Sequence, residues 1–263
     1  MQTISVMNAK GGVAKTTTAL CLAEYLGNQG QKVLLVDLDP QANATNTLLK
    51  VEVGDELEGK TLYNVIYDQV MSKIKGTLPE AIRQAEYVDV APASLDLEMF
   101  KELAKTKSRN PLKLLEKTLS PVKKTYDFVI LDCPADLSVY VESAIHISDL
   151  ILLPSSYDAF GFQGINLMIQ AMFEVHDEDY RQFRVLYTQD NARATRIKSE
   201  MNRYEKMLAE MDVVLPFMVP LDQNVKNAQA RQHSLMANPK YKKSKARAAY
   251  EQLGAYVMKE ASA

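Results

Sequence analysis

The stretch Thr3-Ile4-Ser5-Val6-Met7-Asn8-Ala9-Lys10-Gly11-Gly12-Val13-Ala14-Lys15-Thr16-Thr17 passes from a β-branched apolar run through two adjacent glycines to a lysine and two threonines. Ala19, Leu20, Leu22, Ala23 and Leu26 follow at helical spacing. Strand, glycine turn and helix in that order are what a phosphate-binding loop needs. Its backbone N–H groups and the helix N-terminus cradle phosphate oxygens, a lysine meets the β/γ oxygens, and a hydroxyl reaches Mg²⁺. Lys15 and Thr16 stand where the last two roles fall. The bland alternative is a glycine-rich joint with no ligand, and a lysine and threonine in register with this context argue against it.

Working outward, two further apolar runs end in acids. Val33 to Val36 leads into Asp37-Leu38-Asp39-Pro40-Gln41, and Phe128 to Leu131 leads into Asp132-Cys133-Pro134. The carboxyl ends of parallel strands face the ligand crevice, so Asp37, Asp39 and Asp132 are expected to converge on the Mg²⁺ and γ-phosphate side. Any one of them alone could be a helix N-cap.

Short β-branched or leucine-rich runs recur at Thr3 to Val6, Lys32 to Asp37, Tyr87 to Ala91, Phe128 to Asp132, Leu150 to Leu153, Phe183 to Thr188 and Val213 to Val219. They are almost continuously apolar, as strands buried on both faces are. Helical spacing separates them at Lys15 to Asn28, Leu95 to Ala104, Leu112 to Leu119, Gln163 to Val175, Ala192 to Met211 and Ser244 to Lys259. The expected fold class is therefore α/β, a mostly parallel sheet covered by helices on both faces, with residues 1–263 as a single domain. The polar stretch Val51 to Gly59 and the proline-bearing stretch Asn238 to Lys243 read as surface loops.

The 263 residues are 47% hydrophobic and 24% charged, ordinary for a globular chain with one sizeable core. No run reaches the roughly 18 apolar residues of a membrane span, and Met1 to Val6 leads directly into a strand, which predicts no signal peptide. Cys21 and Cys133 lie far apart, and His146, His176 and His233 have no metal-ligand spacing, so a reducing cytosol and no metal cage are expected. The net charge of −2 conceals an uneven distribution: seven basic residues and no acid lie between Gln223 and Tyr250. Such a stretch is either a solvated surface or a phosphate-backbone contact.

Lys10, Gly11, Gly12, Lys15 and Thr16 together resemble the deviant Walker A box of the ParA/MinD family of P-loop NTPases. Val36-Asp37-Leu38-Asp39-Pro40-Gln41-Ala42-Asn43-Ala44-Thr45 resembles the second motif of ParA and Soj proteins, and Leu131-Asp132-Cys133-Pro134 their Walker B. Tyr187-Thr188-Gln189-Asp190 with Arg193, Val219-Pro220-Leu221-Asp222-Gln223-Asn224-Val225 and Lys245-Ala246-Arg247-Ala248-Ala249-Tyr250 resemble later blocks, so the likeness runs along almost the whole chain. One position departs from it: the usual glycine before the loop lysine is Ala14.

The resemblance implies an ATPase, slow and partner-stimulated, in which ATP and Mg²⁺ are sandwiched in a homodimer. Lys10 would reach across to the partner's nucleotide, and Gly11 would leave room for that approach. The loop from Lys10 to Thr17, with Gly12, Val13 and Thr17, would hold nucleotide. Asp39 would handle the attacking water, Asp37 would lie beside it in the Mg²⁺ shell with Thr16, and Asp132 would hold the metal through water. Adenine would sit near Thr188, Asp190 and Val219, Pro220 and Leu221. If the position of Ala14 requires positive φ, alanine is strained there.

For partners, the resemblance implies a ParB-like adaptor and nonspecific DNA on the nucleoid, met by Arg193, Arg196, Lys198, Arg203, Lys226, Arg231, Lys240, Lys242 and Lys243. A MinD-like membrane protein would need a C-terminal basic amphipathic helix. Ala248 to Ala263 carries Glu251 and Glu260 and reads better as a helix packed on the domain. The iron–sulfur branch needs bridging cysteines that Cys21 and Cys133 are not placed to supply. Tyr241, Tyr250 and Tyr256 are too dispersed for a tyrosine-kinase tail. The short stretch before the first strand leaves no room for a helix-turn-helix, so site-specific operator binding is not expected.

Overall fold

The computed structural model describes residues 1–51, 57–71, 77–176, 182–190 and 202–261, with the main chain alone at 190 and 202–205. Eight strands, β1 (Gln2–Val6), β2 (Val33–Asp37), β3 (Arg83–Gln84), β4 (Asp89–Ala91), β5 (Phe128–Asp132), β6 (Leu150–Ser156), β7 (Phe183–Asp190) and β8 (Val219–Pro220), form one sheet in the order β3-β4-β2-β5-β1-β6-β7-β8. Every pairing is parallel except that of β3 with β4. The α/β class and the helix-covered parallel sheet are as the sequence predicts.

Strand alternation divides the core into two layers. Leu34, Val36, Val129, Leu131, Ile151 and Leu153 face one side, where they meet α3 (Leu62–Met71), α4 (Asp96–Lys107), α5 (Leu114–Leu119), α6 (Val139–Ile147) and α7 (Ala159–His176). Leu35, Phe128, Ile130, Leu150 and Leu152 face the other, against α1 (Lys15–Asn28) and α10 (Lys245–Glu260). Both faces being covered is why the strands read as unbroken apolar runs. Leu253 and Val257 of α10 are fully buried, so the apolar stripe of that helix is spent on the domain. Among the described residues no helix is long and apolar enough to cross a membrane.

Three boundaries differ from the sequence reading, each for a local reason. Val213 to Val219 is not one strand: Val214 makes an isolated bridge to Val185, Pro216 has no N–H to continue the ladder, and β8 begins only at Val219. Tyr87 falls in the turn between β3 and β4, closed by the Ala85 amide donating to the Val88 carbonyl at 3.0 Å. The stretch Asn238 to Lys243 holds a short 3₁₀ turn, Pro239–Tyr241, whose Tyr241 is buried and anchors it, while Lys240, Lys242 and Lys243 stay exposed. Of the expected helix Ala192 to Met211, only α8 (Asn202–Glu210) lies within the described residues.

Candidate phosphate-binding site

β1 is central in the sheet, and the chain leaves its carboxyl end through Asn8. The Asn8 side-chain amide donates to the Pro154 carbonyl at 2.8 Å, and its Oδ1 accepts the Lys10 amide at 2.9 Å. Gly164 of α7 is packed so closely on this corner that a Cβ there would come within 2.3 Å of Asn8 Oδ1. The loop then runs through Gly12 at φ +74° and Ala14 at φ +67° into α1. Positive φ on both sides of Val13 is the kind of backbone from which anion-binding nests of amides are built. No side chain caps the N-terminus of α1 and its first turn holds no acid, so its amides are left for an outside acceptor.

Alanine in left-handed backbone costs roughly 1–2 kcal/mol, and Ala14 occupies that region as the sequence anticipated. Glycine would relieve it but loses about 0.4–1 kcal/mol through the freer unfolded chain. Ala14→Gly is therefore expected to raise Tm by about 1–3 °C, read by thermal melting. An unchanged or lower Tm would show that the loop stores no strain at this residue.

Loop, strand ends and the β8 region enclose a cavity of about 670 Å³. Gly11, Gly12, Ala14, Lys15, Thr16, Thr17 and Asp39 line it, together with Thr188, Val219, Pro220 and Leu221. Val13 is buried below. An added Cβ at Gly11 would meet nothing within 4 Å, so any crowding there would come from outside the subunit. Lys15 is buried, and its ammonium donates to the Lys10 carbonyl at 3.0 Å. Burial lowers its pKa, against the pull of Asp132 and Asp39.

Asp37 and Asp132 are opposite partners in the β2–β5 register, and both are fully buried. Their environments differ. Asp37 accepts the Thr45 amide at 2.9 Å, the Thr45 hydroxyl at 2.7 Å and the Asp39 amide at 3.1 Å. Burial raises its pKa to about 6 even so. It thereby caps α2 (Asn43–Leu49) from outside that helix and orders the turn bearing Asp39. Neither carboxylate oxygen of Asp132 has a hydrogen-bond partner among the described residues. Burial and then the charge of Asp37 push its pKa well above the carboxylate range, while the Thr16 hydroxyl and Lys15 favour the ionised form. A fully buried carboxylate with no close donor beyond the neighbouring Thr16 hydroxyl is costly on its own and is the ligand chemistry a hydrated divalent cation satisfies. The residues present therefore fit Mg²⁺, with Thr16 and Asp132 as its holders. Asp39, half-buried at the rim, accepts only the Gln41 amide, at 2.9 Å, leaving a carboxylate oxygen facing the cavity.

Lys10 stands apart from that cavity. Its ammonium donates to Ser156 Oγ at 2.8 Å and to Asp158 at 2.9 and 3.1 Å, and lies 5.7 Å from the centroid of the exposed Phe160 ring. Asp158 is drawn below the usual carboxylate range: burial opposes this, but Lys10 and the Gly161 amide outweigh it. The pair is about one-third exposed, so releasing Lys10 costs on the order of 1 kcal/mol or less.

Other positions gained definition. The Thr188 hydroxyl donates to the Val13 carbonyl at 3.0 Å, and Gln189 Nε2 to the Gly12 carbonyl at 2.6 Å. Gln229 of α9 (Gln223–Gln229) donates to Thr17 Oγ1 at 2.8 Å. Asp222 caps both α9 and α10 through Asn224, Ser244 and Ala246. Spacing carried no signal for Gln189 or Gln229, whose partners are more than 170 residues away. Lys226 lines the cavity, while Arg231, Lys240, Lys242 and Lys243 are exposed. Arg193, Arg196 and Lys198, and the side chains of Asp190 and Arg203, lie outside the described residues.

A family model described as an AAA domain matches residues 1–185. The sporulation initiation inhibitor protein Soj of Bacillus subtilis is 35% identical over 172 residues, 64% of this chain and 64% of that protein. The chromosome-partitioning ATPase Soj of Treponema pallidum is 32% identical over 176 residues, 66% of this chain and 64% of that protein. The match thus spans about 64% of the length of these relatives. The chromosome partitioning protein ParA of Myxococcus xanthus is 28% identical over 228 residues, 84% of this chain and 77% of that protein. Among solved structures, a Cyanothece McdA variant in complex with ATP superimposes with a TM-score of 0.81 at 20% identity, covering 98% of this chain and 96% of that one. At that identity the likeness speaks for the fold.

Proposed function

The chain belongs to the family of ParA/Soj-type partition ATPases, and we propose that it is an ATP-hydrolysing switch that positions DNA or another large cargo. One observation supports this reading: a buried lysine and a loop with positive φ at Gly12 and Ala14 line a cavity of about 670 Å³, beside a fully buried aspartate, Asp132, at the end of the neighbouring strand. The loop amides and Lys15 bind the triphosphate, and Thr16 and Asp132 would hold Mg²⁺, which would supply charge neutralisation to the phosphates. Asp39 accepts a hydrogen bond from the attacking water and orients it, while Asp37 fixes the turn on which Asp39 stands. Thr188 and Val219 to Leu221 border the base, together with Asp190.

Lys10, held outside the cavity by Ser156 and a partly exposed ion pair with Asp158, is free to be released and supplies a cation to the nucleotide of a second copy, which makes the dimer depend on ATP. Dimerisation doubles the cations offered by Lys226, Arg231, Lys240, Lys242 and Lys243, and Arg193, Arg196, Lys198 and Arg203 are further candidates from the sequence. Nonspecific DNA is then held through its phosphates, and a ParB-like adaptor on the cargo stimulates hydrolysis and release.

Retention on nonspecific duplex DNA tests this. Binding is expected with ATP and not with ADP. It is expected to weaken on the order of 10³-fold between 50 and 200 mM salt if about six phosphates are neutralised. Substituting Arg231, Lys240, Lys242 and Lys243 by glutamate, all exposed and none lining the cavity, should abolish retention with dimerisation intact. Equal retention with ADP, or none altered by these substitutions, would refute the DNA assignment.

A further inference from the structure

Each carbonyl of the loop from Gly12 to Ala14 accepts a hydrogen bond from a residue outside the loop. The Gly12 carbonyl accepts from Gln189 Nε2, the Val13 carbonyl from the Thr188 hydroxyl, and the Ala14 carbonyl from the Thr18 amide and hydroxyl at 2.9 and 2.8 Å. In a planar trans peptide the carbonyl of one residue and the N–H of the next point in opposite directions. Fixing these carbonyls fixes the amides of Val13, Ala14 and Lys15 as well, in a loop whose Gly12, Ala14 and Lys15 line the cavity together with Thr188 and Gln189. Among the described residues the amides of Val13 and Ala14 donate to no main-chain carbonyl.

Two of the clamps come from neighbouring residues at the end of β7. The second of them is unusual, because Gln189 sits at φ +57°, a left-handed conformation that costs a non-glycine residue roughly 1 kcal/mol or more. Its side chain is exposed and gains nothing from burial. The strained backbone is matched instead by a 2.6 Å hydrogen bond that spans 177 residues of sequence to reach the loop.

We propose that Gln189 is a positioning residue of the phosphate site, fixing the Gly12–Val13 peptide in the one orientation in which the loop receives the triphosphate. This rests on the reading of the loop as the ATP cradle. Gln189 does not touch the reacting atoms; it removes the loop's freedom to flip the Gly12–Val13 peptide, a freedom that Gly12, at positive φ, otherwise retains.

The test uses the full chain with Gln189→Met, which keeps length without a donor, and Gln189→Gly, which removes the side chain and relieves the positive φ. Affinity for Mg·ATP and Mg·ADP is measured by titration, KM and kcat by turnover, and folding by thermal melting. Both variants should lose about five- to tenfold in affinity for both nucleotides, the contribution of one neutral hydrogen bond. KM should rise by the same factor with kcat changed less than about twofold, and the Tm of the Met variant should match the parent's. Nucleotide affinity within twofold of the parent in both variants would overturn the proposal. So would a loss confined to the Met variant, since strain and not the missing donor would then be responsible. A parent that binds neither nucleotide would instead remove the ATP reading beneath it.

Discussion

Lys15→Ala is expected to lower ATP affinity by about 10²-fold, whereas Lys10→Ala binds ATP as a monomer within about threefold of the parent and fails to dimerise. The contrast follows from where the two ammonium groups lie. Lys15 is buried and lines the cavity, and burial lowers its pKa. Its charge is thus poorly solvated until phosphates meet it, and a hydrogen bond to a charged group in such a place is among the strongest a site can make. Lys10 is tied to Ser156 and Asp158 at the start of α7 and does not line that cavity. Removing it leaves the subunit's own nucleotide contacts in place. Nucleotide titration with light scattering on both variants separates the roles, and an equal loss of ATP affinity in the two would show that Lys10 acts within its own subunit.

Asp39→Ala is expected to slow hydrolysis by about 10²- to 10⁴-fold, the range for loss of a general base, while ATP binding stays within about threefold. The dimer should then accumulate. Asp39 has one carboxylate oxygen engaged by the Gln41 amide and sits at the cavity rim. Asp37, by contrast, accepts three hydrogen bonds and is fully buried, so its loss would disorder the turn and the start of α2. Single-turnover kinetics on Asp39→Ala decide the matter: hydrolysis at the parental rate would transfer the water-handling role away from this residue.

Strands buried on both faces and helices with long apolar stripes are legible because their pattern is local. β5 and α1 match the sequence reading residue for residue. The phosphate loop and the strand-end acids were readable for the same reason, since each motif is continuous in the chain. What escaped notice was held by distant partners. The α2 segment, Asn43-Ala44-Thr45-Asn46-Thr47-Leu48-Leu49, is rich in poor helix formers and is nucleated by the carboxylate of Asp37 on another element. The β-branched α6, Val139-Tyr140-Val141-Glu142-Ser143-Ala144-Ile145-His146-Ile147, has strand-like composition and becomes a helix through its packing. β3 is two residues long, too short for any period to register. In the site, the bond from the Thr188 hydroxyl to the Val13 carbonyl spans 175 residues and leaves no trace in local spacing. Gln189 stood inside a motif without any assignable task until its reach to Gly12 was visible.

The account stands or falls on ATP closing two subunits on one another. Light scattering on the parent chain with Mg·ATP, with Mg·ADP and with no nucleotide measures this directly. The prediction is twice the chain mass of 29.5 kDa with Mg·ATP alone, and the single-chain mass in the other two samples. The same mass in all three, whether one subunit or two, would contradict it.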